Sequence, residues 1–398
     1  QHTALTAHDL IGLGEIVGKM VMTAKNFAHP GEQGESRRLS LREIADSLGV
    51  SHTAVNKYAA ALPSRLGSEG KQGRTYQYTL ADATELRGLM GLNQTRGAGE
   101  PCVTLGVMNF KGGVAKSTTT AHLSQNLALR GFRTLAIDCD PQGTLSTLFG
   151  IHPDVDLDAD DTLLPYFEGK EPTLDYCIRN TEIPTLRVIP ANVGLAQADL
   201  VLPARQRDER SNGNSEWFYM TSLAEGIRTI ENDFDVILLD CPPSMSYLTT
   251  VATQACDSLL MPMRPSMPDF ASSAQFIRMF SSFQGDVDSI LETTKKFDWL
   301  RVLITLGEHN NTSSEMEDII RKAYGPMVML ERFPYLTAVA TAAKRMRTLY
   351  DVSRADIDSR QLGKALNLVD QMCGAVEGLI LGTRSRLATP GLTIGEAA

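Results

Sequence analysis

The stretch VMNFKGGVAKST, residues 107–118, gathers the residue types needed to hold a phosphate. Gly112 and Gly113 leave room for backbone N–H groups to converge on an anion. Lys116 would reach the β- and γ-phosphates of a nucleotide, and the Ser117 hydroxyl would ligate Mg²⁺. Such loops follow the pattern G-x-x-x-x-G-K-[ST], and this one departs from it twice. Ala115 replaces the last glycine, where the residue only has to be small enough for close backbone approach, and Lys111 adds a cation ahead of the glycine pair. Lys111, Gly112, Gly113, Val114, Ala115, Lys116, Ser117 and Thr118 form the candidate nucleotide-binding set. For one chain holding one nucleotide, Lys111 is redundant. Two other segments end in carboxylates: DCDPQG (138–143), with Asp138 and Asp140, and VILLDCPPS (236–244), with Asp240. Carboxylates at strand ends that face such a loop are well placed to serve a metal or a water.

A phosphate loop needs a strand to feed it and a helix N-terminus behind it. VTLGVMN (103–109) is a short apolar run ahead of the glycines, and STTTAHLSQNLALRG (117–131) begins a helix after them. Similar runs recur at 133–140, 186–192, 234–242, 257–263 and 300–306, with helical stretches between. Strands apolar on both faces and separated by helices predict an α/β domain with a doubly wound, mostly parallel sheet, here over 103–385. The last segment, 386–398, is loose in composition and predicts a flexible tail.

The first hundred residues have another texture. Leu10, Ile11, Leu13, Ile16, Val17, Met20 and Val21 take helical spacing within 1–35, which predicts an amphipathic helix that packs on its own domain or on a partner chain. In LSLREIADSLGVSHTAVNKYAAAL (39–62) the apolar residues suit two short helices, with Gly49 at the turn and Ser51 as a cap. That is a helix-turn-helix pattern whose second helix would present Ser51, His52, Thr53, Asn56 and Lys57 to DNA. Small helical hairpins with a central glycine also occur without DNA. Here Tyr76, Tyr78 and Leu80 alternate like a following strand, with Lys71 and Arg74 near its tip, and this resembles the wing of a winged helix-turn-helix over 36–91. Residues 92–102 read as a linker.

Composition narrows the class. The chain has 398 residues, enough for two or three domains, and 42% apolar residues, enough for a full core. A net charge of −9 excludes a surface coated in basic residues but leaves room for a local patch. The six scattered cysteines read as reduced thiols rather than a disulfide framework or metal site. No long apolar run or signal pattern is present, and the chain begins at Gln1, so an initiator methionine or leader is expected to be missing. The expectation is a soluble, cytoplasmic protein.

The pattern K-G-G-x-x-K-[ST], with D-x-D-P-Q and D-x-P-P after later strands, resembles the deviant Walker A loop and companion motifs of the ParA/MinD ATPases. The resemblance spans roughly 103–380, including RVIPANVGLAQADLVLP (187–203) and ACDSLLMPMRPSMPDFASS (255–273). It implies ATP hydrolysis with ATP/ADP and Mg²⁺ as ligands, and catalytic roles for Lys111, Lys116 and Asp140. Lys111 would cross an ATP-sandwich dimer to the partner's nucleotide, as an arginine finger does elsewhere. Asp140 would orient the attacking water, Asp138 would neighbour the Mg²⁺ shell, and Asp240 would hold Mg²⁺ through water. A helix-turn-helix ahead of such a domain is similar to the large plasmid-partition ParA and repABC-type RepA proteins, as is TAVATAAKRMRTLYDV (337–352). A MinD-like membrane helix does not fit a tail with Pro390, Gly391 and Gly395, and Cys139 and Cys241 read as strand-end residues rather than cluster ligands.

The resemblance implies a homodimer that binds operator or partition-site DNA specifically and other DNA nonspecifically, associates with the nucleoid and represses its own operon. A ParB-like centromere-binding protein would stimulate its hydrolysis. Nonspecific contacts are expected from Lys344, Arg345 and Arg347, with Arg321 and Lys322 as further candidates. The alternative is a transcriptional regulator for which nucleotide is a conformational ligand only.

Overall fold

A computed structural model describes residues 37–388, apart from 60–61, 63–65, 71–72, 98, 215, 309 and 353–355. The helix expected near the N-terminus and Lys71 lie outside the described residues.

The N-terminal unit opens with α1 (Leu41–Leu48), whose first turn is closed reciprocally by Ser40 and Glu43. It ends at Gly49, which takes φ +66° in the left-handed region. Ser51 then accepts from the Ala54 N–H at the start of α2 (His52–Ala59). An antiparallel hairpin follows, β1 (Leu66–Gly70) with β2 (Gly73–Gln77), and Tyr78 bridges back to Leu39. Leu80, expected in the strand, opens α3 (Leu80–Leu89) instead, because Thr79 and Asp82 form a second capping box.

The main unit runs β3 (Val103–Val107), α4 (Lys116–Leu129), β4 (Thr134–Asp138), α5 (Thr144–Leu148), α6 (Leu164–Glu168), β5 (Arg179–Asn180) and β6 (Leu186–Ile189). It continues through α7 (Ala198–Ser211), α8 (Ser222–Ile230), β7 (Val236–Asp240), α9 (Tyr247–Ala255), β8 (Ser258–Met263) and α10 (Met267–Leu291). β9 (Leu300–Thr305), α11 (Asn311–Tyr324), β10 (Val328–Phe333), α12 (Thr337–Lys344) and α13 (Ser359–Ala388) complete it. The sheet order is β10-β9-β8-β3-β7-β4-β6-β5, parallel throughout except for β5. Alternate residues of one strand go to opposite layers: Val236 and Leu238 pack with α4, α12 and α13, while Ile237 and Leu239 pack with α6 to α10. β3 thus lies in the middle of the sheet, with β7 and β8 on either side, and the ends of β3, β4 and β7 meet at Val107, Asp138 and Asp240. Loops after adjacent strand ends are where open α/β sheets build sites.

The two units are not strung on a loose tether. Residues 92–102 are strapped down: Gln94 N–H donates to the Gly131 carbonyl, and Arg96 donates to Asp235, Glu100 and Glu231. Ile44, Val55, Tyr78 and Leu86 share one core with Ala128 of α4 and Ile183 and Leu186 of the sheet domain. Gly131 makes the close approach possible, since a Cβ there would sit 2.7 Å from Arg87 Cδ and 2.8 Å from Asn93 Cα.

α4 also carries a buried polar row toward residues 348–351. His122 Nδ1 donates to the Thr118 carbonyl and Nε2 accepts from the Leu349 N–H, which fixes the neutral tautomer. Gln125 donates to Asp351, and Asn126 donates to Tyr350 and Asp370. Burial holds the His122 imidazole down at about 4, against an ordinary 6.5. Below the ordinary value the unfolded chain takes up a proton that the native chain refuses, so this contribution to stability drains as pH falls from 6.5 toward 4. The expected loss is about 3 kcal/mol. Asp351, raised to about 6 by burial, works in the opposite sense, so the measurement is a difference. Urea unfolding of His122→Gln should lose less stability than the parent between neutral pH and about pH 4.5.

Candidate active site

Asn109 sets the loop's entrance. Its side chain is buried, donates to the Pro262 carbonyl at 2.8 Å and accepts from the Lys111 N–H at 2.9 Å. From the next strand, Thr305 donates to the Val114 carbonyl. Gly113 has φ +72°, and an added Cβ on Gly112 would meet nothing within 4 Å, so the glycine pair leaves an open cradle. Ala115 takes φ +65°, ψ +33°, so this position asks for glycine on conformational grounds as well as for its small size. An L-residue there costs about 1–2 kcal/mol. Ala115→Gly trades that strain against about 0.4–1 kcal/mol of unfolded-chain entropy. The expected outcome is a gain of about 0.5 kcal/mol in urea unfolding, and a clear loss for Ala115→Val.

Lys116 begins α4 and is buried, with Nζ 3.1 Å from the Lys111 carbonyl, so the loop closes around its own lysine. Burial lowers its ammonium, and Asp240 and Asp140 pull it back up. Lys111 is the reverse case: its side chain is exposed and makes no hydrogen bond or ion pair among the described residues. Ser117 and Thr118 are partly exposed at the loop's rim.

Asp240 is fully buried, and its carboxyl is pushed well above the usual range by burial and by Asp138 alongside. Thr120 approaches Oδ1 at 3.5 Å. The Ser117 hydroxyl lies close enough to favour the charged form, yet Oδ2 has no hydrogen-bond donor among the described residues. A buried carboxylate oxygen without a donor, beside a serine hydroxyl, is what a hard divalent cation needs. Mg²⁺ therefore fits here, with Ser117 and Asp240 as the residues to hold it.

Asp138, expected to neighbour the Mg²⁺ shell, lies beside Asp240 and is also bonded into the next turn. Its oxygens accept from Asp140 N–H at 3.1 Å and from Ser146 N–H and Oγ at 2.9 and 2.7 Å. Burial lifts it to about 7. These bonds tie it into the 138–146 turn, so it positions Asp140 while lying beside Asp240. Asp140 accepts from the Gln142 N–H, is buried, and lies near enough to Lys116 to raise it. Asn109 and Ser146 went unread in the sequence. Asn109 had a signal, an Asx residue two positions before Lys111; Ser146 had none.

The expected DNA residues form a separate group. Ser51, His52, Thr53, Asn56 and Lys57 are all exposed on or beside α2. Arg74 lies on β2, in the hairpin. Three arginines of the second basic group have partners of their own. Arg347 donates to the Asp351 carbonyl, Arg345 pairs with Asp356 at 3.1 Å, and Arg321 pairs with Glu317. Lys344 and Lys322 are exposed.

A buried lysine, a glycine cradle and an Asp at the end of the neighbouring strand define a P-loop nucleotide-binding ATPase fold. A profile described as AAA domain matches residues 103–293. A protein assigned as replication protein A in Rhizobium rhizogenes is 33% identical over 370 residues, which is 89% of each chain. Chromosome partitioning protein ParA of Caulobacter vibrioides is 31% identical over 258 residues, 64% of this chain and 90% of that one. A solved structure called Partition Protein has the same fold over 94% of this chain and 99% of its own, with a TM-score of 0.62 at 16% identity. The chain belongs to the ParA-type partition ATPases. No helix among the described residues is long and apolar enough to cross a membrane.

Proposed function

We propose that this chain hydrolyses ATP with Mg²⁺ and binds DNA as a homodimer whose assembly depends on nucleotide. The observation that carries the reading is the contrast between two lysines on one loop. Lys116 is buried and folded into its own loop, while Lys111 is exposed without a partner among the described residues. A cation that its own chain leaves unused suits a phosphate held by a second copy. Mg²⁺, held by Ser117 and Asp240, would supply charge neutralisation at the phosphates. Lys116 binds phosphate oxygens, Asp140 orients and deprotonates the attacking water, and Asp138 keeps the Asp140 turn closed.

The exposed row on α2 is the proposed operator- or partition-site reader, and its shared core with α4 ties that reader to the helix that begins at the phosphate loop. The exposed Lys344 and Lys322, with the half-exposed Arg345 and the partly exposed Arg347, are the proposed nonspecific contacts with nucleoid DNA. Hydrolysis would be stimulated by a ParB-like centromere-binding protein, and operator binding would repress the chain's own operon. Asp140→Ala should keep ATP binding and nucleotide-dependent dimers in light scattering but lose at least about 100-fold in turnover. A fully active variant removes Asp140 from this role. Operator binding that responds to nucleotide, with no stimulation of hydrolysis by any ParB-like protein, would favour the regulator reading instead.

A further inference from the structure

Arg264 follows the last residue of β8, and its side chain is exposed. Its Nη2 lies 4.0 Å from where a Cβ on Gly113 would sit, which puts the guanidinium over the tip of the phosphate loop. It has no hydrogen bond, ion pair or ring contact among the described residues, unlike Arg321, Arg345 and Arg347. Its backbone is nevertheless held firmly. Asn109 clamps the Pro262 carbonyl on one side, and Ser266 N–H donates to the Arg264 carbonyl before Ser266 caps α10. Pro265 beside it is buried. One side chain, Asn109, thus fixes both the Lys111 N–H and the strand end that carries Arg264.

Placing a further cation over the loop that carries Lys111 and Lys116 is unfavourable in the protein alone, since no carboxylate among the described residues pairs with it. The arrangement makes sense around an anion that carries several charges. A guanidinium offers a planar fork that matches two phosphate oxygens at once, which an ammonium does not.

We propose that Arg264 is a phosphate ligand, reaching over Gly113 from the β8 side to grip the terminal phosphates of the nucleotide in the loop. The proposal rests on the ATP-binding reading above. It completes the site as a three-sided clamp: Lys116 from beneath, loop N–H groups around the rim, and Arg264 across the mouth. Affinity and turnover should both depend on it, and discrimination of ATP from AMP most of all.

The test uses the full chain with Arg264→Ala and Arg264→Lys, titrated with ATP and with AMP, beside Lys116→Ala as a reference. Arg264 is exposed and its charge is unpaired among the described residues, so without nucleotide neither variant should melt below the parent. Arg264→Ala is expected to bind ATP about 10- to 100-fold more weakly, with AMP little affected. Arg264→Lys should recover only part of the loss because the fork is gone. An ATP affinity within about twofold of the parent overturns the proposal, while loss of binding in Lys116→Ala would leave the ATP-binding reading standing. Equal losses for ATP and AMP would place the guanidinium on the base or ribose and also overturn it. A parent chain that binds no ATP would bring down both readings.

Discussion

Lys116→Ala is expected to abolish measurable ATP binding, and with it any DNA binding that depends on nucleotide. The side chain is buried at the root of the cradle, with Nζ on the Lys111 carbonyl and with Asp240 and Asp140 near enough to raise it against desolvation. When phosphate enters, that ammonium exchanges one neutral carbonyl for charged oxygens, each worth about 1.5–3 kcal/mol. Two such bonds amount to a loss of about 10²- to 10⁴-fold in affinity. Equilibrium titration with a fluorescent ATP analogue measures the first effect, and a DNA mobility shift with and without ATP measures the second. ATP-dependent DNA binding retained by the variant would sink the assignment of this loop.

How much of this the sequence disclosed depends on how far each partner sits along the chain. The loop, its strand and its helix are continuous from Val103 to Leu129, so residue types and spacing were enough to find them. Six strands were legible because each is an apolar run. β5 was missed as a two-residue, exposed edge, and β10 because Glu331 and Arg332 interrupt its pattern. Asp138 could be placed near the phosphate loop because it ends a strand, but its tie to the following turn could not be read. Its hydrogen-bond partner Ser146 lies beyond the next turn, where no local rule points back. The partners of Arg345 and Arg347, Asp356 and the Asp351 carbonyl, could not be read because they come together only when the chain folds. The segment 92–102 has the composition of a linker, and its fastening by Arg96 depends on Glu231 and Asp235, far away in sequence. Ala115 is the reverse lesson: the substitution was visible at once, but its positive φ belongs to the backbone alone.

Asp240→Asn is expected to move stability and activity in opposite directions. In the ligand-free chain the carboxylate is fully buried, lies beside Asp138 and leaves Oδ2 without a donor. Each of these disfavours the charged form, so the folded state holds its proton above the value the unfolded chain would show. A carboxyl shifted in that direction loses stability as pH rises past the ordinary 3.8 toward the raised native value. The neutral amide removes that penalty, and the Ser117 hydroxyl can accept its new N–H. The variant should therefore equal or exceed the parent by about 1 kcal/mol in urea unfolding without ligand, with a larger margin at alkaline pH than at acidic pH. With Mg²⁺ and ATP the order should reverse. The parent gains a cation on its orphaned oxygen, whereas the amide offers a positive edge to Mg²⁺, so the variant should lose about 100-fold or more in turnover and most of its Mg²⁺-dependent rise in melting temperature. A residue that only braced the fold would show the opposite pattern, with ligand-free stability falling and the Mg²⁺ response intact. That result would move the metal site away from Asp240. Equal or greater stability without ligand, together with a lost Mg²⁺ response, means this strand end keeps an unfavourable buried charge because a cation needs it there.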